Sequence, residues 1–109
     1  MSLLLLVFTN PVEGREDEYN EWYSDRHLDD VLAVEGFRAA QRFEFVESKL
    51  SRGSQHRYLA IYEGEDGSAE RAEKALFAAA GTEAMPISDA MAKPQVTWFF
   101  QSITDRVEA

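Results

Sequence analysis

The chain has 109 residues with 45% hydrophobic side chains, enough for one domain with a real core but near the small end of the self-sufficient range. Eleven basic residues stand against 20 acidic ones, a net charge of -9, which argues against polyanionic partners such as nucleic acid or an anionic membrane surface. There is no cysteine, so disulfides, a thiolate nucleophile and a Cys-ligated metal are excluded, and a reducing cytosol is the expected compartment.

Leu3 to Phe8 is a short, continuous apolar run. It is too short to span a membrane and lacks the basic flank and cleavage site of a signal peptide, so it reads as a strand covered on both faces. Thr9-Asn10-Pro11 ends it in a turn.

Glu16–Val34 is the most informative stretch. Placed on a helix at about 100° per residue, Tyr19, Trp22, Tyr23, Arg26 and His27 fall within an arc of roughly 140°. Asp17, Glu18, Glu21, Ser24 and Asp25 take the other side, and the acidic first turn suits the helix dipole. A plain core helix would use Leu, Ile and Val. Three aromatics followed by an arginine and a histidine suit the roof of a polar-ended pocket. After His27 the phase changes: Leu28, Val31 and Leu32 fall opposite, which predicts a bend near Ser24–Leu28 and a short second helix through Ala33.

Glu35-Gly36 breaks the helix, and Phe37 to Val46 reads as a second strand. Its alternation puts Phe37, Ala39, Gln41, Phe43 and Phe45 on one face, with Arg38, Ala40, Arg42, Glu44 and Val46 on the other. Ser48–Ser54 is a hairpin loop, and Arg57 to Glu63 a third strand with His56, Tyr58, Ala60 and Tyr62 on one side. Glu65-Asp66-Gly67-Ser68 is a turn with an Asp or Ser cap. Ala69, Ala72, Leu76, Ala79 and Ala80 form the stripe of a closely packed helix that Gly81 stops. Thr82–Met91 is irregular, and Val96 to Ile103 is the last strand, with Val96, Trp98 and Phe100 alternating against Thr97, Phe99 and Gln101. The tail from Thr104 is polar and frays.

The order β-α-β-β-α-β predicts an α+β ferredoxin-like domain spanning the whole chain, with a four-stranded antiparallel sheet and two main helices on one face. Aromatics on both faces of the second and fourth strands predict that the uncovered face is buried too, most simply by a homodimer through the sheet.

Asn10-Pro11-Val12-Glu13-Gly14-Arg15-Glu16, Trp22-Tyr23-Ser24-Asp25-Arg26-His27-Leu28, Val31-Leu32-Ala33-Val34-Glu35-Gly36-Phe37 and Arg42-Phe43 together resemble the EthD-like branch of the dimeric α+β barrel proteins. That branch shows a W-Y-x-x-x-H segment, a short hydrophobic helix and a (P)-G-F strand opening; Glu35 stands here where proline is frequent. The resemblance covers the first half by motif and the second by fold order. It implies a ferredoxin-like protomer, a sheet-to-sheet dimer and a cavity between sheet and helices. The wider superfamily includes cofactor-free monooxygenases, isomerases, polyketide cyclases, dehydratases and haem enzymes. EthD-like members are associated with xenobiotic ether degradation or with tailoring of pigments and aromatic polyketides.

His27 is the foremost candidate: an imidazole titrates near working pH and can move protons. The bland alternative is a histidine closing the helix end. Tyr23, one turn earlier, could donate to a developing enolate. Arg26 could bind a substrate carboxylate or simply pair with Asp30. Trp22, Tyr19 and Trp98 could line a flat aromatic pocket or be ordinary core. Tyr62 is a second proton donor if its strand face meets the cavity. Two distant histidines without HxxxH or HxxE spacing make no convincing metal site, and Gly64 and Gly67 form no phosphate loop. No cofactor is expected. The leading reading is a small cofactor-free dehydratase, cyclase or isomerase acting on a hydrophobic aromatic or polyketide-like molecule. The alternatives are a non-catalytic dimer that binds a hydrophobic metabolite, and a cofactor-free monooxygenase.

Overall fold

Leu3 and Leu5 point one way from the first strand and pack under helices, as strict alternation on a half-covered sheet requires. The computed structural model describes residues 2–109. Strand β1 (Ser2–Thr9) leads into α1 (Glu16–Trp22), a π-helical turn (Tyr23–His27) and α2 (Leu28–Leu32) in one continuous helical run. Strands β2 (Phe37–Glu44) and β3 (Tyr58–Glu65) follow, then α3 (Ala69–Ala79) and β4 (Val96–Gln101). The sheet is antiparallel throughout, in the order β2-β3-β1-β4. This is the ferredoxin-like arrangement that the element order predicts.

Register decides what meets the helices. Leu5 lies opposite Tyr62 on one side and Phe99 on the other; Val7 lies opposite Ala60 and Thr97. These positions share the inner face with Ala40 and Arg42 of β2. Leu4, Leu6, Phe8, Leu59, Ile61, Val96, Trp98 and Phe100 share the outer face. The core joins both layers: Leu5, Ala60 and Tyr62 pack with Tyr19, Tyr23 and Val31 of the first helical run and with Ala72 of α3.

Strand β2 departs from simple alternation. The pairing with β3 shifts between Phe37 and Ala39, so Phe37 is buried on the inner face with its ring 6.0 Å from that of Tyr62, while Ala39 begins the outward series. Phe37 therefore does not share a face with Ala39, Gln41 and Phe43 as uninterrupted alternation would have it. The extra residue is Arg38, a bulge just after Gly36, whose φ of 105° suits glycine. Its carbonyl accepts from Glu65 N at 3.3 Å and lies over Gly64, where a Cβ would overlap it.

Ser68 stands at the start of α3, but its hydroxyl donates back to the Glu65 carbonyl at 2.6 Å instead of capping the helix. The irregular segment after α3 is tied down by its backbone. Val12 N donates to Ala90 O (2.7 Å) and Ala92 N to Asn10 O (2.8 Å), laying this segment beside the loop between β1 and α1. Met85 and Ala90 are thereby buried. Among the described residues no helix is long and apolar enough to cross a membrane.

Candidate functional site

Tyr19, Tyr23, His27 and Val31 recur at every fourth position and are all buried. In a uniform α-helix, four-residue steps drift by about 40° each, and such a stripe would wander off the sheet. The π turn at Tyr23–His27 winds more residues per turn, takes back part of that drift and keeps His27 facing inward. A π turn thus stands where the sequence predicts a bend, and Val31, expected on the opposite side, stays on the inward stripe.

His27 is clamped by aromatic rings. The Trp22 indole stacks on it at 4.5 Å and 24°, and the Tyr23 ring meets it edge-on at 4.9 Å and 88°. Trp22 is fixed in turn by its Nε1, which donates to the Pro86 carbonyl at 3.2 Å. Tyr19 lies one turn earlier, fully buried, its hydroxyl bonded to Thr9 Oγ1.

Below these residues is a cleft of about 210 Å³. Its inner wall is Leu5, Tyr23, His27, Val31, Tyr62 and Met85; Leu76, Phe77, Ala80, Ile87 and Met91 close the sides, and Gln95 and Thr97 lie toward the exposed rim. A second recess of about 220 Å³ adjoins it, sharing Leu5, Leu76, Phe77 and Thr97 and adding Glu73 and Phe99. The lining is overwhelmingly apolar, so the few polar atoms decide what fits.

Two of those atoms lack partners. His27 Nδ1 and Tyr62 Oη are enclosed by protein and make no hydrogen bond. An enclosed polar atom without a partner costs about 1–3 kcal/mol. Burial lowers the His27 pKa to about 4, opposed in part by the Asp30 carboxylate. Burial raises the Tyr23 phenol to about 12 and the Tyr62 phenol further still. The two phenols are close enough to influence each other's ionisation, yet no well-formed hydrogen bond joins them. At neutral pH the inner wall thus presents a neutral imidazole and two neutral phenols, a set able to accept and donate protons.

Of the residues singled out in the sequence, His27, Tyr23 and Tyr62 come together on the cleft wall. Trp22 and Tyr19 stand behind them and position them. Arg26 is directed to the surface, where its Nε pairs with Asp30 at 3.1 Å and its Nη2 donates to the Glu83 carbonyl at 3.0 Å. Trp98 is 56% exposed on the outer face, because strand parity puts Thr97 and Phe99 inward and Trp98 outward. Arg26, Trp98, Trp22 and Tyr19, all candidates for the pocket wall from the sequence, do not line the cleft. Arg42 is not singled out by the sequence, but its guanidinium lies 4.6 Å from the centroid of Tyr23, 5.1 Å from that of Tyr58 and 5.3 Å from that of Tyr19. Its inward place on β2 is legible from alternation, its company is not. Leu76, Phe77, Met85, Ile87 and Met91 carry no signal beyond ordinary hydrophobicity.

No protein-family model matches the chain, and no curated protein is significantly similar to it in sequence. Solved structures do match in fold. One is an ethyl tert-butyl ether D (EthD) family protein from Bacillus halodurans, 16% identical, TM-score 0.63, over 94% of this chain and 100% of that one. Another is described as a candidate monooxygenase from Shewanella loihica, 10% identical, TM-score 0.62, over 94% and 95%. A third is a variant of MhuD holding two manganese protoporphyrin IX molecules per active site, 15% identical, TM-score 0.65, over 97% and 99%. The chain shares the ferredoxin-like fold of these structures, as its element order anticipates.

Proposed function

We propose that the cleft takes up a hydrophobic aromatic or polyketide-like molecule and transfers protons on it, in a dehydration, cyclisation or isomerisation. The observation that carries this reading is the pair of unpartnered polar groups, His27 and Tyr62, on one apolar cleft wall. A guest oxygen that reaches these enclosed groups, by a small shift of the wall, would satisfy what the protein leaves open. In this reading His27 accepts a proton from carbon or oxygen. Tyr62 and Tyr23 donate to the oxygen on which charge develops, in a site that excludes water.

A porphyrin, as bound by the MhuD variant, does not fit these residues as they stand. The one imidazole on the cleft wall is held between the Trp22 and Tyr23 rings, so no histidine there is free to bind a metal. A guest of one or two fused rings suits the cleft better.

The low His27 pKa favours a second reading, in which the dimer carries a hydrophobic metabolite without changing it, since an imidazole of pKa about 4 is a weak base. A two-ring enolisable ketone, 2-tetralone, separates the two. The catalytic reading expects the protein to accelerate exchange of its α-protons into deuterium oxide, with His27→Ala reducing that exchange by about 10²-fold or more. Binding without accelerated exchange supports the carrier instead. Oxygen consumption with a phenolic guest would favour oxygenation, the activity named for the Shewanella protein. We further propose that the outer sheet face is buried in a homodimer, because Leu4, Leu6, Phe8, Leu59, Ile61, Trp98 and Phe100 make it largely apolar, with the Arg38–Glu63 ion pair toward one end.

A further inference from the structure

The guanidinium of Arg42 sits among three tyrosine rings and is held by two neutral oxygens. Its Nη1 donates to Ser24 Oγ at 2.8 Å and its Nη2 to Asn20 Oδ1 at 2.9 Å. Among the described residues no carboxylate lies within ion-pairing distance of it. Arg15, Arg26, Arg38, Arg71 and Arg106 have acidic partners, and Arg52 and Arg57, which have none among the described residues, are exposed where Arg42 is half-buried. In a chain with 20 acidic residues, an arginine half-buried against neutral groups is conspicuous. Ring faces stabilise a cation without neutralising it, so a full positive charge remains behind the cleft wall. Arg42 lies opposite Ala60 on β3, one inward position along from Tyr62, and its closest ring is that of Tyr23.

Building on the cleft-binding reading above, we propose that Arg42 is a positioning residue that gives the Tyr23–Tyr62 corner a preference for negative charge, so that the guest binds through an oxyanion, formal or developing: a phenolate or an enolate. The Arg42 charge favours the ionised form of both Tyr23 and Tyr62, against burial. Its field therefore reaches both phenols, and a guest oxygen hydrogen-bonded to them feels the same field with little water to screen it. His27, neutral and beside Tyr23, does not oppose it. The net charge of -9 repels anions at long range, so a preference for an anion must arise locally.

The test compares 4-nitrophenolate with 4-nitroanisole, its neutral methyl ether, by equilibrium dialysis at a pH where the free phenol is ionised. We expect the wild type to hold the phenolate about tenfold or more tighter than the ether, and Arg42→Gln to abolish most of that preference while leaving ether affinity within about twofold. Arg42→Lys, which keeps the charge, should retain most of it. Equal binding of both probes by the wild type overturns the inference and leaves the cleft reading standing. So does an Arg42→Gln protein that keeps the preference. If Arg42→Gln does not fold, the wild-type ratio together with Arg42→Lys decides: a preference lost in the charge-keeping lysine variant counts against the inference. If neither probe binds the wild type, the inference and the cleft reading fall together.

Discussion

A histidine held neutral by its surroundings leaves a mark on stability. His27 is 9% exposed, stacked on Trp22, and its pKa falls to about 4 from an ordinary 6.5. The unfolded chain therefore binds a proton at His27 between about pH 6.5 and pH 4, and the folded chain does not. Stability must fall as pH drops through that window, and this single group accounts for about 2 kcal/mol of loss between pH 7 and pH 5. Urea unfolding at the two pH values, on wild type and on His27→Gln, checks it: the variant should lose about 2 kcal/mol less than the wild type over the same interval. Equal losses would show that His27 is protonated freely in the folded protein. The inward placement of His27 and Tyr23 was legible in the sequence because aromatics at four-residue spacing on an otherwise polar helix mark an inward stripe, and the imidazole continues it. The surroundings of Arg42 were not, because a cation on the mixed face of a strand reads as solvated until the three tyrosines are seen around it.

The elements owe their placement to two local irregularities, one in a helix and one in a strand. The π turn keeps the inward stripe continuous from Tyr19 to Val31. The shift between Phe37 and Ala39 turns Phe37 inward against Tyr62. The second depends on Gly64, because a Cβ there would collide with the Gly36 carbonyl. Gly64→Ala should accordingly destabilise the fold by more than about 2 kcal/mol, whereas Gly67→Ala, with open space around it but a φ of +76°, should cost only about 1 kcal/mol. Thermal unfolding of both variants makes the comparison. Element order and strand parity were legible from hydrophobic periodicity, and parity alone assigns Trp98 and Phe99 to opposite faces. The strand shift was not legible, since a one-residue bulge leaves no trace in an alternating pattern beyond a glycine that a turn would also require. The cleft's far wall was hidden for a different reason. Met85, Ile87 and Met91 lie in a segment without periodicity, placed by backbone bonds to the loop after β1.

At the scale of the whole molecule, the sheet has one face under helices and another that is apolar and open. Trp98 and Phe100 are each 56% exposed there, and Phe43 is 42% exposed. Leu6, Leu59 and Ile61 lie between them on the same face, a contiguous grouping of the kind that marks an interaction surface. A second copy covering this face predicts a dimer in sedimentation, and a charge placed at its centre should dissociate it. Trp98→Asp is expected to sediment as a monomer at concentrations where the wild type is dimeric, with the helical content of the fold retained. A wild type that is monomeric at high concentration would refute the dimer without touching the cleft, which lies on the other face of the sheet.

The stacking of Trp22 on His27 also equips the protein with an optical reporter. Only two indoles are present, and the other, Trp98, is remote from the cleft, so a Trp98→Phe background leaves Trp22 as the sole emitter. Any molecule that hydrogen-bonds or protonates the imidazole alters the ring lying 4.5 Å from that emitter. Occupancy of the cleft could then be followed by intrinsic fluorescence, with no label and before any reaction is known.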